Sequence, residues 1–503
     1  MTFLELLDGA DVLFQQGNPA VSGLQYDSRR IRPGDVFLAM HGETTDGNRY
    51  IDKAIAAGAV AVVTDSKEEK PREKVAWAKI SHGRRAMGRL SANLYRNPAQ
   101  KLAITGVTGT NGKTTVALLV ESIFRAAGRQ CALVGTIEYH VAGEVLAAPH
   151  TTPESLELNQ LFAKAAGLGV TETAMEVSSH ALAQQRVFGI PYDVAVFTNL
   201  TRDHLDFHRH MDDYFAAKSV LFQGCGTEPP RVSVLNLEDE YGKRLAKASR
   251  SAETVTYGLE GGDFHAAGVD ISSSGTRFDI VTGTTTIPVF SPLIGRVNVF
   301  NILAAAAAAT ARGCSSEQIA KGVEALERVP GRFERVNAGQ PFSLVVDYAH
   351  TDDALRNLTA LAREFVGGRG RRGRVITVFG CGGDRDRTKR PLMGEAAGKG
   401  SDLVIVTSDN PRSEDPLTII QDAVVGLQRT GTSYTVEPDR RKAIALAVGD
   451  AKAGDIVLVA GKGHEKVQVT RDGAAPFDDV EVAREALRAA GYAAVGAARD
   501  GNT

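Results

Sequence analysis

The sequence predicts an α/β protein built from three domains. Its 503 residues exceed what a single hydrophobic core usually supports. Apolar stretches with the length of strands alternate with helical patterns along most of the chain, which is typical of sheets covered by helices. Changes of pattern divide the chain into residues 1–98, 99–331 and 332–503.

The composition excludes several classes of protein. Lys+Arg 58 and Asp+Glu 60 give a net charge of -2, so no overall field favours nucleic acid or an anionic membrane. The acidic start "MTFLELLDGADV" lacks the regions of a signal peptide, and no apolar run is long enough to span a bilayer. The scattered cysteines form no CxxC pair and indicate neither a zinc site nor a disulfide framework. We therefore expect a cytoplasmic protein without membrane insertion or nucleic-acid binding. We also expect a monomer, although the sequence does not give the oligomeric state.

Residues 1–98 predict a small α/β N-terminal domain. The stretch "AIAAGAVAVVTD" indicates a helix followed by a strand, and "GRRAMGRLSANLY" indicates a helix. The following "RNPAQ" predicts a linker, because the residue before a proline disfavours continuation of a helix.

The strongest local pattern is "GVTGTNGKTT", which lies between a strand-like and a helix-like stretch. A glycine-rich turn at that place points backbone N–H groups at phosphate oxygens, beside the positive end of the helix. Lys113 can neutralise phosphate charge, and the Thr114 hydroxyl can hold Mg²⁺. The match to GxxxxGK[ST] is imperfect because Val107 stands at the first glycine position. The pattern predicts a nucleotide site and a central P-loop ATPase-type parallel sheet.

Other segments of 99–331 complete that central domain. "ETAMEVSS" and "DVAVFTNL" are typical of buried parallel strands. Residues 253–294, rich in Thr, Ser and Gly with alternating apolar positions, predict an antiparallel insertion. "NVFNILAAAAAATARG" predicts one helix, and "SSEQIAKGVEALERV" predicts another, with Ser315 and Gln318 at the spacing of a capping box.

Residues 332–503 predict a Rossmann-like doubly wound domain. "SLVVDYAH", "RVITVFGCGG", "DLVIVTSD" and "DIVLVAGKG" are strand patterns, each separated by a helical stretch. Ligands of such sheets bind beyond the carboxyl ends of the strands, and "SDNPRSED" (408–415) occupies such an end. The same composition is also common in surface turns.

Several motifs together resemble those of the Mur ligases, which build the peptide stem of peptidoglycan. "GTNGKTT" is similar to their ATP loop and to that of the related folylpolyglutamate synthases. Further blocks resemble that family in order across nearly the whole chain: "HTTPE", "MEVSSHAL", "NLTRDHLDFH", "GRVNVFN", "PGRFE" and "DYAH". The resemblance implies an ATP-dependent ligase that forms an amide bond through an acyl phosphate.

The resemblance also implies roles for individual residues. Lys113, Lys218, His204 and Glu176 would be catalytic, and Mg²⁺ would be held by Thr114, Glu176, His204 and Lys218 as its carbamate. ATP would contact Gly109, Thr110, Asn111, Gly112, Lys113, Thr114, Thr115, Asn298, Asn301, Arg332, Asp347 and His350. In "DYAHTDDAL", Asp352 replaces the proline that the family pattern leads us to expect.

By the same resemblance, residues 1–98 and 99–331 would together bind a UDP-linked muramoyl-dipeptide. The stretch "LQYDSRRIRPGDVFLAMHGETTDG" resembles a uridine-binding portion of the family. The positions implied are Tyr26, Ser28, Gly42, Glu43, Thr44, Thr45, His150, Thr151, Thr152, Ser178, Gln184 and Arg186. Taken alone, each of these polar residues is as typical of an ordinary loop or helix.

Residues 332–503 would select the amino acid that the ligase adds. Arg385 and Arg412 can bind carboxylates through paired hydrogen bonds, while Asp409 and Glu465 can hold ammonium groups. Meso-diaminopimelate carries two carboxylates and two ammonium groups, which suits this set. Lysine lacks the distal carboxylate and would leave Arg412 unpaired. The residues expected at this site are Arg385, Asp409, Asn410, Pro411, Arg412, Gly461 and Glu465. The alternative within the family is a lysine-adding ligase, and a folylpolyglutamate synthase is less favoured by the first block and by "DNPR".

Two readings from other classes are possible. "VFGCGGDR" begins like the GxGxxG of an NAD-linked oxidoreductase, but Arg385 occupies the third glycine position, where close packing requires no side chain. A nucleotide-dependent switch would need no second substrate pocket.

Overall fold

The computed structural model describes residues 1–43, 45–283, 285–367 and 373–492. Their strands form sheets of five, eleven and six strands, in that order along the chain, and a small two-stranded sheet near the C-terminal end. The predicted α/β class with parallel-rich sheets is confirmed. Within these ranges, no helix has the length and apolar character needed to cross a bilayer.

The first sheet has the strand order β1-β5-β4-β3-β2, and only β1 runs antiparallel to its neighbour. Strand β3, which lies between β4 and the edge strand β2, is buried on both faces, since Val36 contacts one apolar cluster and Phe37 another. The elements are α1 (Phe3–Leu6), β1 (Val12–Gln16), β2 (Gly23–Gln25), β3 (Asp35–Ala39), α2 (Ile51–Ala56), β4 (Ala61–Thr64), β5 (Ala76–Ile80) and α3 (Gly83–Leu94).

The second sheet has the order β16-β15-β14-β13-β12-β11-β6-β10-β7-β8-β9 and is parallel in its middle. Its strands are β6 (Ala103–Thr108), β7 (Cys131–Val134), β8 (Glu138–Val141), β9 (Glu144–Ala147), β10 (Glu172–Glu176), β11 (Val194–Phe197), β12 (Val232–Asn236), β13 (Glu253–Gly258), β14 (Phe264–Ser272), β15 (Gly275–Thr282) and β16 (Thr286–Ser291).

The helices of this part cover the second sheet. They are α4 (Lys113–Ala126), α5 (Ser155–Gly167), α6 (Ser179–Ala183), α7 (Met211–Gln223), α8 (Glu240–Ala248), α9 (Arg296–Ala311) and α10 (Ser316–Ala325). The alanine run of α9 is buried, because small side chains let this helix lie close to α4 and to the sheet. Ser315 and Gln318 form the predicted capping box at the start of α10.

The third sheet has the order β17-β18-β22-β19-β20-β21, parallel except for β17. Apolar clusters cover both of its faces. The elements are β17 (Glu334–Arg335), β18 (Ser343–Asp347), α11 (Asp352–Gly367), β19 (Val375–Phe379), α12 (Lys389–Gly400), β20 (Leu403–Val406), α13 (Pro416–Gln428), β21 (Ser433–Val436), α14 (Arg440–Asp450), β22 (Ile456–Ala460), β23 (Val467–Thr470), β24 (Gly473–Pro476) and α15 (Asp479–Ala489).

The structure adds detail to the predicted antiparallel insertion. Strands β14, β15 and β16 are antiparallel to one another, as expected, but they continue the central sheet through β13, which is parallel to β12. A second antiparallel piece, the β8–β9 hairpin, lies at the opposite edge and was not predicted. The central sheet is therefore extended at both edges by antiparallel strands.

Candidate active site

The predicted phosphate loop joins the end of β6 to the start of α4, at the middle of the second sheet. Its glycines are required by space as well as by backbone angle. Gly109 has φ 152°, and a Cβ there would lie 1.8 Å from the Thr198 hydroxyl. Gly112 has φ 88°, and its Cβ would lie 2.5 Å from Asn301 Oδ1. Neither position accommodates a side chain.

Residues that follow β11 hold this loop in place. The Thr198 hydroxyl donates to the Asn111 carbonyl at 2.6 Å, and Asn199 Oδ1 accepts from the Asn111 amide at 2.9 Å. Lys113 Nζ donates to the carbonyls of Gly109 and Thr110 at 3.0 and 2.8 Å. Burial lowers the pKa of Lys113. The Lys113 amine thus lies folded over the loop that it belongs to.

A cavity of about 360 Å³, here called the phosphate-loop cavity, opens beside α4 and α9. Eight of the residues predicted to bind ATP line it: Asn111, Gly112, Thr114, Thr115, Asn298, Asn301, Arg332 and Asp347. Other polar lining residues were missed from the sequence, namely Thr198, Asn199, Thr201, Asn236, Asp353 and Asn357. Gly109, Thr110 and Lys113 are absent from the lining, and His350 lies at a different cavity.

Residues of the third predicted domain, 332–503, supply one wall of this cavity. Asn301 donates to Asn298 Oδ1 at 3.1 Å on the α9 side. On the other side, the Arg332 guanidinium lies 4.8 Å from the centre of the Tyr348 ring. Asp347 accepts from the Phe333 amide at 2.6 Å, and burial raises the pKa of Asp347. Polar groups from two sheets therefore converge on one space of nucleotide size.

Glu176 ends β10 beside the phosphate loop and is almost fully buried. Its carboxylate accepts from the Thr136 amide at 2.7 Å and from the Thr136 hydroxyl at 3.0 Å. Glu176 and Thr114 line one small space, together with Pro330. A carboxylate and a hydroxyl are oxygen ligands of the kind that Mg²⁺ prefers, and nucleotide phosphates and water would supply the remaining ligands. These two residues fit a magnesium site.

Among the described residues no cluster of three or more His, Cys, Asp or Glu side chains has the spacing of a metal site. His204 has φ 55°, and burial lowers its pKa to about 3, which leaves the imidazole neutral and able to act as a ligand. Lys218 is buried and donates to the Gly109 carbonyl at 2.8 Å. A protonated amine cannot bind a cation, whereas a carbamate on Lys218 would offer the oxygen ligands that Mg²⁺ prefers.

A second cavity, of about 570 Å³, lies between the first sheet and the start of α5, and is here called the N-terminal cavity. The predicted residues that line it are Tyr26, Ser28, Gly42, Glu43, Thr45, Gln184 and Arg186. Arg84 and Glu154 also line it and were missed. Glu154 Oε1 lies 2.8 Å from Arg84 Nη1 and 3.2 Å from Arg186 Nε, so it links α3 to the residues after α6. Thr44 lies outside the described residues.

The other predicted polar residues form a cluster between Glu176 and the N-terminal cavity. Thr151 and Thr136 share a hydrogen bond of 3.0 Å between their hydroxyls. The Thr152 hydroxyl donates to the Glu176 carbonyl at 2.8 Å and accepts from the Ser178 amide at 3.1 Å. The His150 carbonyl accepts from Tyr139. The Thr152 carbonyl accepts from Arg186, which lines the N-terminal cavity, at 3.3 Å, but His150, Thr151, Thr152 and Ser178 are absent from that lining.

A third cavity, of about 160 Å³, lies beyond the carboxyl ends of β18, β19, β20 and β22, and is here called the strand-end cavity. Six predicted residues line it together: Arg385, Asp409, Asn410, Arg412, Gly461 and Glu465. Pro411 is absent from the lining. Gly461 leaves room for Asp409, since a Cβ there would lie 2.6 Å from Asp409 Oδ2. The loops after β19, β20 and β22 thus bring acids and arginines to one crevice.

Asp203 connects this crevice to the second sheet. Its carboxylate lies 3.4 Å from His204 Nε2, 3.7 Å from His350 Nε2 and 3.7 Å from Lys389 Nζ. Burial acts to raise the pKa of Asp203, but the neighbouring His350 and His204 side chains and the positive charge of Lys389 hold it well below its usual range. Asp203 lies inside the "NLTRDHLDFH" motif, whereas Lys389 had no recognisable sequence signal.

The arrangement of these cavities defines a class of protein. A phosphate loop opens on a nucleotide-sized cavity, and a crevice of mixed charge lies next to it, as an enzyme that uses a nucleotide to activate a second substrate requires.

Three models of one family match the chain. They are the Mur ligase family, catalytic domain, over residues 20–95, the Mur ligase middle domain over 107–309, and the Mur ligase, glutamate ligase domain, over 331–463. The chain belongs to the Mur ligase family. The predicted resemblance and the predicted enzyme class, an ATP-dependent ligase, are confirmed.

Relatives of known name are similar over nearly the full length. The chain is 53% identical over 473 residues to the UDP-N-acetylmuramoyl-L-alanyl-D-glutamate–2,6-diaminopimelate ligase of Solibacter usitatus, covering 94% of both chains. It is 45% identical over 488 residues to the protein of the same name from Geobacter metallireducens, covering 93% of this chain and 94% of the relative.

Solved structures share the fold. A structure of a UDP-N-acetylmuramoyl-L-alanyl-D-glutamate–2,6-diaminopimelate ligase superposes with a TM-score of 0.65 at 35% identity, covering 94% of this chain and 95% of that one. The MurF ligase of Thermotoga maritima, solved in complex with ADP, has a TM-score of 0.62 at 18% identity, covering 93% and 98%. At 18% identity, this second comparison shows a shared fold only.

Proposed function

We propose that this chain joins meso-diaminopimelate to the D-glutamate of UDP-N-acetylmuramoyl-L-alanyl-D-glutamate, with ATP as the energy source, in peptidoglycan biosynthesis. The observation that carries the proposal is the strand-end cavity. Arg385 and Arg412 offer guanidinium groups to carboxylates, and Asp409 and Glu465 offer carboxylates to ammonium groups. The names of the relatives at 53% and 45% identity agree with this complement.

The three cavities would hold the three substrates. ATP would occupy the phosphate-loop cavity, the nucleotide sugar the N-terminal cavity, and the amino acid the strand-end cavity. The boundaries 1–98, 99–331 and 332–503 then separate a UDP-substrate domain, an ATP domain and an amino-acid domain. We further propose that the protein acts in the cytoplasm as a monomer.

The reaction would proceed through an acyl phosphate. The D-glutamate carboxylate attacks the γ-phosphorus of ATP in line and releases ADP. The amino group of the incoming amino acid then attacks the acyl carbon, phosphate leaves, and an amide bond forms. Lys113 would offset charge on the transferring phosphoryl group. Thr114 and Glu176 would hold Mg²⁺, which lowers the charge repulsion between the nucleotide and the attacking carboxylate when it is bound.

Lys218 is proposed to act as a carbamate. Burial, and then the positive charge of Lys113, hold the pKa of Lys218 well below its usual range. The neutral amine can add to CO₂ and release a proton, which gives a carbamate anion. That anion would lie beside His204 and the phosphate loop, where it could complete a second Mg²⁺ site.

Lys218→Ala is expected to lower kcat by about 10²-fold, because it removes the proposed anion beside the phosphates. Acetate added to this variant should restore part of the activity by filling the space. Lys218→Arg is the matched control, since it leaves no space and no amine to modify, and acetate should not restore it. A fully active Lys218→Ala enzyme would remove the carbamate role.

His41 predicts a pH dependence for binding of the nucleotide sugar. His41 Nδ1 lies 2.9 Å from Asp65 Oδ1, and His41 Nε2 lies 3.6 Å from Asp46 Oδ2, at the base of the Gly42–Thr45 loop. The hydrogen bond to Asp65 raises the pKa of His41. The protonated ring therefore holds the loop at low pH, and this support is lost as the pH rises through the raised pKa.

We expect the KM for the nucleotide sugar to increase as the pH rises through the raised pKa of His41, while the KM for ATP changes less. In His41→Asn this increase should disappear. A variant that keeps the wild-type pH profile would show that His41 does not govern the loop.

The proposed function is tested by ADP release with the UDP-linked muramoyl-dipeptide, comparing meso-diaminopimelate with L-lysine. We expect diaminopimelate to be preferred by roughly 10⁴-fold in kcat/KM, because lysine leaves the half-buried Arg412 guanidinium without a carboxylate partner. Equal rates would favour a lysine-adding or unselective ligase. No ADP release with either amino acid would refute the proposed substrate pair.

A further inference from the structure

Two loops carry the side chains proposed to bind the amino acid, and both have unusual backbone angles. Residues 380–386 follow β19 and carry Arg385, while residues 408–415 follow β20 and carry Asp409 and Arg412. Asp384 has φ 50° and Arg412 has φ 52°, the left-handed region that residues with a side chain seldom adopt. Such angles persist only where surrounding contacts impose them.

An ion pair outside the cavity supplies these contacts. Arg390, at the start of α12, is 0% exposed, and Glu414 is 21% exposed. Arg390 Nη2 donates to Glu414 Oε1 at 2.7 Å, and Arg390 Nη1 donates to Glu414 Oε2 at 3.0 Å. Arg390 also donates to the Gly382 carbonyl at 3.2 Å and to Asp422 at 3.0 Å. One guanidinium therefore holds both loops.

Further hydrogen bonds join the loops around that pair. Glu414 Oε1 accepts from the Asp384 amide at 2.6 Å, and the Asp384 carboxylate accepts from the Ser413 hydroxyl at 2.7 Å. Arg412 Nη1 donates to the Gly383 carbonyl at 2.6 Å. The direction of the Arg412 side chain is thus fixed from the opposite loop.

We propose that Arg390 and Glu414 are positioning residues that set the specificity for the amino acid, by holding the two loops at the spacing that a ligand with two carboxylates requires. Neither residue lines the strand-end cavity, so neither would contact the amino acid. Their effect is on the separation and direction of Arg385 and Arg412. This inference rests on the proposed function, because it concerns the same amino-acid site.

Glu414→Gln tests the pair with little change in shape. We expect the KM for meso-diaminopimelate to rise about tenfold, because an amide offers only one acceptor to a guanidinium fork. The preference over L-lysine should fall, while the KM values for ATP and for the nucleotide sugar stay within about threefold of wild type. Arg390→Lys should act in the same direction. The double variant should cost less than the product of the two single effects.

Asp402→Asn is the matched control. Asp402 pairs with Arg363 at 2.6 Å in the same block, half-exposed and away from the cavity, and its loss should leave all three KM values near wild type. An unchanged diaminopimelate KM in folded Glu414→Gln would overturn the inference. An equal rise for all three substrates would also overturn it, since a general loss of structure predicts that pattern.

Hydrogen exchange separates this inference from the proposed function. Backbone amides of residues 380–386 and 408–415 should exchange about tenfold faster in Glu414→Gln than in wild type, whatever the amino acid is. If the wild type does not use meso-diaminopimelate, the proposed substrate fails, and the exchange result still decides the role of the ion pair. Unchanged exchange in both loops would overturn that role.

Discussion

Lys113→Met is expected to lower kcat by about 10³-fold, because it removes the charge that would stabilise the transferring phosphoryl group. Methionine keeps most of the length of the lysine stem. The two carbonyls that Lys113 contacts, those of Gly109 and Thr110, belong to the loop itself, and the Gly109 carbonyl still accepts from Lys218 in the variant. Single-turnover formation of ADP measures the effect directly.

The loss should appear in the chemical step more than in binding. Equilibrium binding of ATP should weaken by only about tenfold, because the backbone N–H groups of the loop and the lining of the phosphate-loop cavity remain. Lys321→Met is the matched control, since Lys321 is exposed on α10 and pairs with Glu317. A Lys113→Met enzyme with near-normal kcat would remove Lys113 from the reaction.

The buried parallel strands were predictable because burial on both faces leaves an apolar run in the sequence. β18, β19, β20 and β22 all lie where "SLVVDYAH", "RVITVFGCGG", "DLVIVTSD" and "DIVLVAGKG" predicted them. The edge strand β21 was missed, since Ser433–Val436 is exposed along its length and has no apolar signature. The β8–β9 hairpin was missed for a similar reason, because β9 is mostly exposed.

The candidate site was predictable only where local sequence carried a motif. Asn298 and Asn301, which the family motif "GRVNVFN" assigned to ATP, both line the phosphate-loop cavity. Asp353 was missed at the same cavity, although its carboxylate accepts from Asn111 Nδ2 at 3.2 Å. That contact joins residues 242 positions apart, and nothing in a single sequence shows such a separation being closed.

His350 shows the limit of transferring a role along a motif. Its resemblance placed it at ATP, but in the structure it lines the strand-end cavity and faces Asp203. The "DYAH" turn lies between the two cavities, because Asp347 of the same motif lines the phosphate-loop cavity. The motif therefore predicts the region of the site in which a residue lies. The direction of its side chain then determines which of the two cavities it lines.

Arg412→Lys is expected to raise the KM for meso-diaminopimelate by roughly 30-fold, since a charge-assisted hydrogen-bonding pair contributes about 1.5–3 kcal/mol. Lysine keeps the positive charge but not the planar fork. The Arg412 guanidinium donates to the Gly383 carbonyl at 2.6 Å and keeps other N–H groups for a carboxylate. A lysine ammonium lacks the fork that makes both contacts in fixed directions. Steady-state kinetics with each of the three substrates varied in turn measures the effect.

The result should be selective for one carboxylate. Because L-lysine lacks the distal carboxylate, its poor kcat/KM should change little in Arg412→Lys, and the preference for diaminopimelate should fall by more than tenfold. Arg429→Lys, at the exposed end of α13, serves as the control for a conservative change on the surface. If Arg412→Lys weakens both amino acids equally, Arg412 contacts a group that they share, and the discrimination must come from Arg385 or from the spacing that Arg390 and Glu414 maintain.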